Sequence, residues 1–530
     1  MSDVLILGAG LMQKPAIQAA KKLGYHVTVV DANPAAVCVP FADRFEPVDL
    51  KDKDSLLSLA AELKNASGLS AVFTAGTDFS ASVSYLTEKL SLPGHTYRAA
   101  LNASDKIRMR SCFQKYGVPS PLFIEITKDD FFRSPKELFE NAGFSDYPLV
   151  VKPVDNMGAR GCRLIRKETE LLPALKDAVK YSRSGRAILE EYIDGPEFSI
   201  DSLIFDGELT ITGFADRHIY YPPYFIETGH TMPTSVDPEN WNRLAKTFFD
   251  GIKSLGLTHG ACKADIKLSK NGPVIGEIAA RLSGGYMSGW TFPYSSGVNL
   301  TEQALLLALG REPEELLEKR IKTGVNGIWN LPSKRFSAER AWISIPGSIS
   351  CIHGLEESER NTFVENILPR ANPGDDVSFP VNNVEKCGNV ISCAETRIDA
   401  VESAESKVAE IVLELACPDK RTESFLSSTY ETHFPPSAFV VPMKVYMDTL
   451  DHFCDMMLPP GADLTEYIPE CLLPYADSVV DWNKRTIRQT LELFMTLRPD
   501  YGVKNPVLFY KTLFRGAIQG LLYMTSQNQR

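Results

Sequence analysis

The sequence predicts a multidomain protein of mixed α/β and α+β class: a small doubly wound unit, then antiparallel sheets with helices, then a helical tail. Three observations carry that reading. The first hundred residues alternate short apolar runs with helical stretches, the pattern of parallel strands covered on both faces. Beyond them the apolar runs come in pairs around turn signals such as Asp206-Gly207 and Asn271-Gly272, which is hairpin chemistry. The last 110 residues hold 15 aromatic side chains, too many for a disordered tail.

Taken in order, Val4–Leu7 reads as a buried strand, Gly8-Ala9-Gly10 as a turn and Pro15–Leu23 as a helix. Val27–Val30 is a second strand ending at Asp31, and Ala71–Thr74 is another, so residues 1–101 form the first domain. Ser104-Asp105 caps a helix over Lys106–Tyr116 that stops at Gly117, before Pro119 and Pro121. Strands Leu149–Lys152 and Cys162–Ile165 flank a polar, glycine-containing segment, 155–161. Ala187–Ile193 follows, then hairpins Phe198–Phe205 with Leu209–Phe214 and Ala261–Leu268 with Pro273–Ala279. This α+β stretch fills 102–330. Short strands and a helix near Ala400–Leu415 define a smaller lobe over 331–420, and 421–530 reads as a helical appendage.

Composition excludes several functions. Of 530 residues 44% are hydrophobic and 23% charged, the balance of a folded globular chain. Lys plus Arg number 56 against 67 Asp plus Glu, a net charge of −11, which argues against a nucleic-acid surface. None of the ten cysteines forms a CxxC pair, so a zinc ribbon or redox motif has no support, and thiols of a reducing compartment remain. No basic leader precedes the first strand and no run of about 18 apolar residues occurs. The expectation is a cytoplasmic protein with no membrane contact.

The residues that carry chemistry lie between 106 and 281. Gly8-Ala9-Gly10 with Asp31 has the outline of a dinucleotide loop without its third glycine; a tight turn for helix–strand packing explains the same residues. Lys152 ends a strand immediately before 155–161, where a fixed charge and glycine-lined backbone N–H groups can surround phosphates. The run from Ile188 through Glu190, Glu191 and Ile193 to Gly195-Pro196-Glu197 offers backbone groups beside an apolar wall, suited to a purine, with Glu197 able to accept from ribose hydroxyls. Asp265 and Glu277 are symmetric about Asn271, so they should face one another across the hairpin. Two carboxylates that close call for a cation such as Mg²⁺, unless a one-residue offset leaves them a solvated acidic pair. Arg281, next to Ser283-Gly284-Gly285, can clamp a carboxylate and the charge of its activated form.

This order of motifs over residues 1 to about 417 resembles the ATP-grasp superfamily. The resemblance implies a pre-ATP-grasp domain, an ATP-grasp clamp and a small C-terminal lobe. It implies Lys106 and Lys152 on ATP phosphates, the segment with Gly158 and Gly161 as a phosphate lid, Glu190, Glu191 and Ile193 at the adenine, and Glu197 at the ribose. Asp265 and Glu277 would hold Mg²⁺, with Mn²⁺ as a substitute, and Arg281 would bind the substrate carboxylate and acyl phosphate. Within the superfamily, Glu277-Ile278-Ala279-Ala280-Arg281 and the E-x-G-H segment Glu227-Thr228-Gly229-His230 resemble carboxylate–amine ligases of the L-amino-acid ligase type. Glu227 and His230 would then serve the substrate, although a structural role also suits a lone histidine. The implied partners are ATP, a small carboxylic acid and an amine, with homo-oligomerisation open. A biotin-carboxylase-like or purine-pathway ligase, an NAD-dependent oxidoreductase on residues 1–100 and a silent ATP-binding regulator are the alternatives.

Overall fold

The computed structural model describes residues 2–356, 362–454, 456, 458 and 461–528. The chain divides into two compact units. The first holds residues 1–218, 230–338 and 393–397; the second holds 219–229, 339–392 and 398–530.

The first unit opens with a parallel sheet in the order Arg44–Glu46, His26–Val30, Asp3–Leu7, Leu69–Phe73. Alternation along Asp3–Leu7 sends Val4 and Ile6 into a core with Ala16, Ile17 and Ala20, and Leu5 and Leu7 into another with Leu56 and Leu63. The sheet is thus covered on both faces, as the apolar runs require. The glycine loop serves this packing. Asp31 accepts hydrogen bonds from the N–H groups of Ala9 and Asn33, both at 2.9 Å, so its carboxylate holds the loop itself. The side-chain amide of Gln13 bonds both the N–H and the C=O of Ala75.

A second, antiparallel sheet runs Phe123–Ile126, Ala187–Glu191, Leu149–Pro153, Arg163–Ile165. Helix Glu168–Tyr181 covers it with Leu171, Ala174, Leu175 and Ala178. A third sheet contains Gly272–Ala279, Gly260–Ser269, Glu197–Phe205 and Glu208–Tyr220 as antiparallel neighbours. Asp206-Gly207 makes the tight turn between the last two, both residues having positive φ. Helix Pro238–Leu255 is capped by Asp237 and stopped by Gly256 at φ +80°. Its buried face, Leu244, Phe248, Phe249 and Ile252, packs on Ile275 and Ile278 of the hairpin. A Cβ on Gly251 would lie 2.6 Å from both isoleucine tips, so glycine sets how closely this helix seats on the sheet.

In the second unit, Gly347–His353 pairs with Val412–Leu415 and with Asp376–Val377. Val364–Pro369 pairs with Gly388–Ala394. Buried Trp342 fills the space beside Gly388, where a Cβ would come within 2.0 Å of the indole. The tail is helical over Lys420–Ser427, Met443–His452, Leu473–Ala476, Ile487–Leu497 and Pro506–Asn528. Its aromatics do not form an outward face: Trp482 and Phe494 are buried within the second unit. The tail also completes backbone bonding there. Asn483 exchanges two hydrogen bonds of 2.9 Å with Ile343, Arg485 donates to the carbonyls of Ala409 and Ile411, and Gln519 bonds Ile345 N–H and Leu413 C=O.

Candidate active site

The hairpin holding the two carboxylates turns on Lys270-Asn271, one position earlier than the Asn271-Gly272 expectation, and Gly272 already pairs with Ser269. Continued regularly, that register would set Asp265 opposite Gly276. Instead the register steps between Ile266, which pairs with Ile275, and Asp265, which pairs with Glu277. Gly276 is the extra residue of a β-bulge. The step sends both Ile275 and Ile278 into the helix-covered core and leaves Glu277 facing Asp265 on the other side. In a regular ladder, Glu277 and Ile275 would share a face. Arg110 donates to the carbonyl of Gly276 at 2.7 Å, satisfying the group the bulge takes out of the ladder.

Cations surround these carboxylates. Lys106, at the N-terminus of helix Lys106–Tyr116, lies 3.3 Å from Glu277 and donates to the carbonyl of Asn156 at 3.1 Å. Burial alone would push the Glu277 carboxyl up; Lys106, then Lys263, Arg281 and Lys152, bring it down to about 2. Asp265 pairs with Arg217 at 2.7 Å and with Lys263. Glu190 is buried between Arg110 at 2.7 Å and Lys152 at 2.8 Å. Its burial opposes the charge, yet the two cations hold its carboxyl below the usual carboxylate range. Glu190 therefore acts here as a buried anion that aims Lys152. Glu191 accepts from the N–H of Leu122, and the carbonyl of Ile193 accepts from Lys267 at 2.9 Å. Glu197 pairs with Arg217 at 2.6 Å.

The segment 155–161 is tied down where it begins. Asp155 accepts from Ser182 Oγ and from the N–H groups of Arg183 and Ser184, and Asn156 donates to the carbonyl of Tyr181. Gly158, Ala159 and Gly161 all have positive φ, between 58° and 70°. At Gly161 a Cβ would press against Pro153 and Tyr181 at 3.0 Å, so glycine is needed for both conformation and space.

Arg281 is buried and donates to its neighbour's carbonyl, that of Leu282, at 2.8 Å. Leu282 forms a β-bridge with Ala75, and Gly76 approaches Gly284 so closely that a Cβ would sit 3.1 Å from it. Ser283 donates through its Oγ and N–H to Asp201, whose carboxyl burial pushes up to about 6. His230 is buried with Nε2 at 2.7 Å from Thr291 Oγ1. Glu227 belongs to the second unit, where its N–H donates to Asn383 and its carbonyl accepts from Lys386, both at 2.8 Å.

Sequence reasoning missed Arg110, Lys263, Lys267 and Arg217. Arg110 lies one helical turn beyond Lys106, and Lys263 and Lys267 flank Asp265 at period two on one strand face, so spacing alone pointed to three of the four. Arg217 comes from a distant strand, and nothing local marks it.

Three family models match parts of this chain. One for an ATP-grasp N-terminal domain matches residues 17–94, one for an ATP-grasp domain matches 145–289, and one for an L-amino acid ligase C-terminal domain 2 matches 341–416. The chain belongs to the ATP-grasp superfamily. Its ATP-grasp domain is followed by one described for L-amino acid ligases. Among curated proteins, Carnosine synthase 1 of Gallus gallus is 26% identical over 374 residues, 67% of this chain. This ATP-grasp chain spans only 40% of that relative's length. Among solved structures, an L-amino acid ligase from Bacillus licheniformis superposes with a TM-score of 0.66 at 20% identity, over 78% of this chain and 99% of its own. A biotin carboxylase domain of the Hydrogenobacter thermophilus 2-oxoglutarate carboxylase, solved with MgADP and bicarbonate, gives 0.59 at 19% identity over 78% of this chain and 90% of its own. At these identities the superpositions speak for the fold. No described helix of this ATP-grasp protein is long and apolar enough to cross a membrane.

Proposed function

We propose that the protein is an ADP-forming ligase that joins a small carboxylic acid, an amino acid or a peptide acid, to an amine through an acyl phosphate. The observation that carries this reading is the bulged hairpin, which sets Asp265 opposite Glu277 with Lys106, Arg217 and Lys263 against them. Lys106, Lys152, Lys263, Lys267, Arg110, Arg217 and Arg281 share one electrostatic neighbourhood with Glu190, Glu197, Asp265, Glu277, Asp78, Asp194 and Asp201. In a chain of net charge −11, this gathering of lysines and arginines at one hairpin suits a polyphosphate.

Lys106 and Lys152 take the phosphates under the 155–161 segment, and Glu190 keeps Lys152 extended. Glu191, Ile193 and Glu197 lie along the nucleoside. Asp265 and Glu277, facing one another across the hairpin, are the pair assigned to a metal ion. That fits Mg²⁺, which keeps water and phosphate oxygens in most positions and takes one or two carboxylates; when bound it neutralises charge on the phosphates. The acid's carboxylate oxygen attacks the γ-phosphorus, the bond to the bridging oxygen breaks, and ADP leaves. Arg281 holds the attacking carboxylate and the charge that develops on the transferring group. The amine then attacks the acyl carbon, phosphate leaves, and the amine gives up its proton. Glu227 and His230 are assigned to orienting these substrates. The lid excludes water from the mixed anhydride.

The test is phosphate release with MgATP and the proteinogenic amino acids, singly and in pairs, with hydroxylamine as a trap. A hydroxamate formed for each ADP supports the reading. ADP formation with neither hydroxamate nor amide for any acid refutes it and leaves an ATPase.

A further inference from the structure

A short turn, Ser182-Arg183-Ser184-Gly185-Arg186, separates helix Glu168–Tyr181 from strand Ala187–Glu191. It closes on itself: Ser182 Oγ accepts from the N–H of Arg186 at 3.1 Å, and Gly185 takes φ +69°. It also carries the start of the 155–161 segment. Asp155 accepts from Ser182 Oγ at 2.8 Å and from the N–H groups of Arg183 and Ser184 at 2.9 and 2.8 Å. The N–H of Val154 donates to the carbonyl of Arg186 at 3.2 Å. The turn and Asp155 therefore move as one body.

Two arginines fix this body to its surroundings. Arg186 donates to Glu125 at 2.7 Å and pairs with Asp105, the N-cap of the helix that begins with Lys106. Arg183 reaches the parallel-sheet domain, where its guanidinium pairs with Asp78 at 2.8 Å and lies 5.0 Å from the centre of the Phe79 ring. The loop that receives Arg183 is itself held. Gln13 bonds both backbone groups of Ala75. Thr77 Oγ1 lies 2.8 Å from that of Thr74, which donates to the carbonyl of Leu7 at 2.7 Å. Phe79 packs on the core that holds Leu5 and Leu86. On its other side the loop meets the chain just after Arg281, with Gly76 N–H donating to the carbonyl of Leu282 at 3.3 Å. Asp78 also stands within electrostatic reach of Arg281 and Lys106.

We propose that Arg183 is a positioning residue for ATP: held by Asp78 and Phe79, it seats the 155–161 segment on the parallel-sheet domain, and through it that domain sets how tightly the nucleotide is held. This role rests on the reading of 155–161 as the phosphate segment, while the seating rests on the contacts above. Affinity falls in proportion to the fraction of molecules with the segment seated. A partly exposed ion pair and a cation–π contact are each modest, so their joint loss lowers affinity about fivefold.

The experiment uses the full chain with Arg183→Gln, at a side chain 36% exposed, and Arg183→Lys as a milder second variant. Hydrogen exchange at the amides of Val154, Cys162 and Ser184 should speed up about fivefold in Arg183→Gln and less in Arg183→Lys. It should stay unchanged over Glu197–Phe205 and Gly260–Ser269. The Kd for MgATP, from titration calorimetry, should rise about fivefold. KM for the amino acids that support phosphate release should hold. In an Asp78→Asn background, Arg183→Gln should have little further effect on exchange or on Kd, as expected for residues acting as a pair. Unchanged exchange overturns the seating. Faster exchange with an unchanged Kd for MgATP, an equal rise in KM for every substrate, or full additivity with Asp78→Asn overturns the positioning role. If wild type binds MgATP and releases no phosphate with any amino acid, the ligase reading fails, and exchange and Kd still decide the role of Arg183.

Discussion

Glu277→Gln should destabilise the protein in the absence of nucleotide, although two carboxylates facing each other would by themselves repel. The pair does not stand alone: Lys106 is 3.3 Å from Glu277, and Arg217 and Lys263 hold Asp265. The Glu277 carboxyl sits at about 2 against an ordinary 4.5. At 1.36 kcal/mol per pH unit that gap is worth about 3 kcal/mol. Water reaching a side chain 30% exposed reduces this to about 2 kcal/mol. Because the folded-state value is depressed, the contribution is complete above about pH 4.5 and fades as the pH falls towards 2. Urea unfolding of wild type and variant, followed by circular dichroism at pH 7, 4 and 3, should show the first transition about 2 kcal/mol weaker in the variant at pH 7, with the gap closing as the pH falls. Two units make a single global value inappropriate, so the first transition is the one to compare. A variant as stable as wild type at pH 7, or more so, would mean that repulsion governs the pair and that the cation cluster is not as described.

Other outcomes follow from the same site. MgATP should raise the melting temperature, by the equivalent of about 2.7 kcal/mol at a hundredfold excess over Kd, and NADH should not; a shift with NADH alone would reinstate the glycine loop as a dinucleotide site. Arg281→Lys keeps the charge and loses the planar two-point contact, so ligation should fall by roughly 10²-fold with the MgATP melting shift retained; wild-type turnover would remove Arg281 from the reaction. A chain ending at residue 416 loses Asn483, Arg485 and Gln519 as partners of buried backbone groups, each worth about 1–3 kcal/mol when left unsatisfied. It should not accumulate as a folded species, and a soluble, monodisperse 1–416 chain with native circular dichroism would refute that account.

The fold was legible where hydrophobic period and turn residues agreed, as in Asp3–Leu7 with its two core faces and in Asp206-Gly207. The carboxylate pairing was legible for a less direct reason. Centring the hairpin on Asn271 placed the turn half a residue late, and the bulge at Gly276 displaced the ladder by the same amount, so the two offsets cancelled at Asp265 and Glu277. A bulge leaves only a glycine in the sequence, and glycine has other uses. Asp31 shows the limit from the other side. Its distance from the glycine loop suits a ribose, but whether a carboxylate turns outward to a ligand or inward to Ala9 N–H depends on partners 20 residues away. The long-range ion pairs of Arg110 and Arg217 lie beyond local reading for the same reason.

The second unit is assembled from three separated stretches, 219–229, 339–392 and 398–530, and Gln519 near its end bonds backbone groups of Ile345 and Leu413. Synthesis therefore delivers its strands well before their last partners. At about 5–20 residues per second, the stretch from residue 417 to 530 takes about 6–23 seconds to make. Throughout that interval, strands such as Gly347–His353 and Val412–Leu415 wait beside the ribosome with their final cover missing, while the first unit already has nearly all of its chain. The tail's late arrival leaves this unit the last to complete its core, and a chain that stops between residue 416 and Gln519 should fail to accumulate as a folded species.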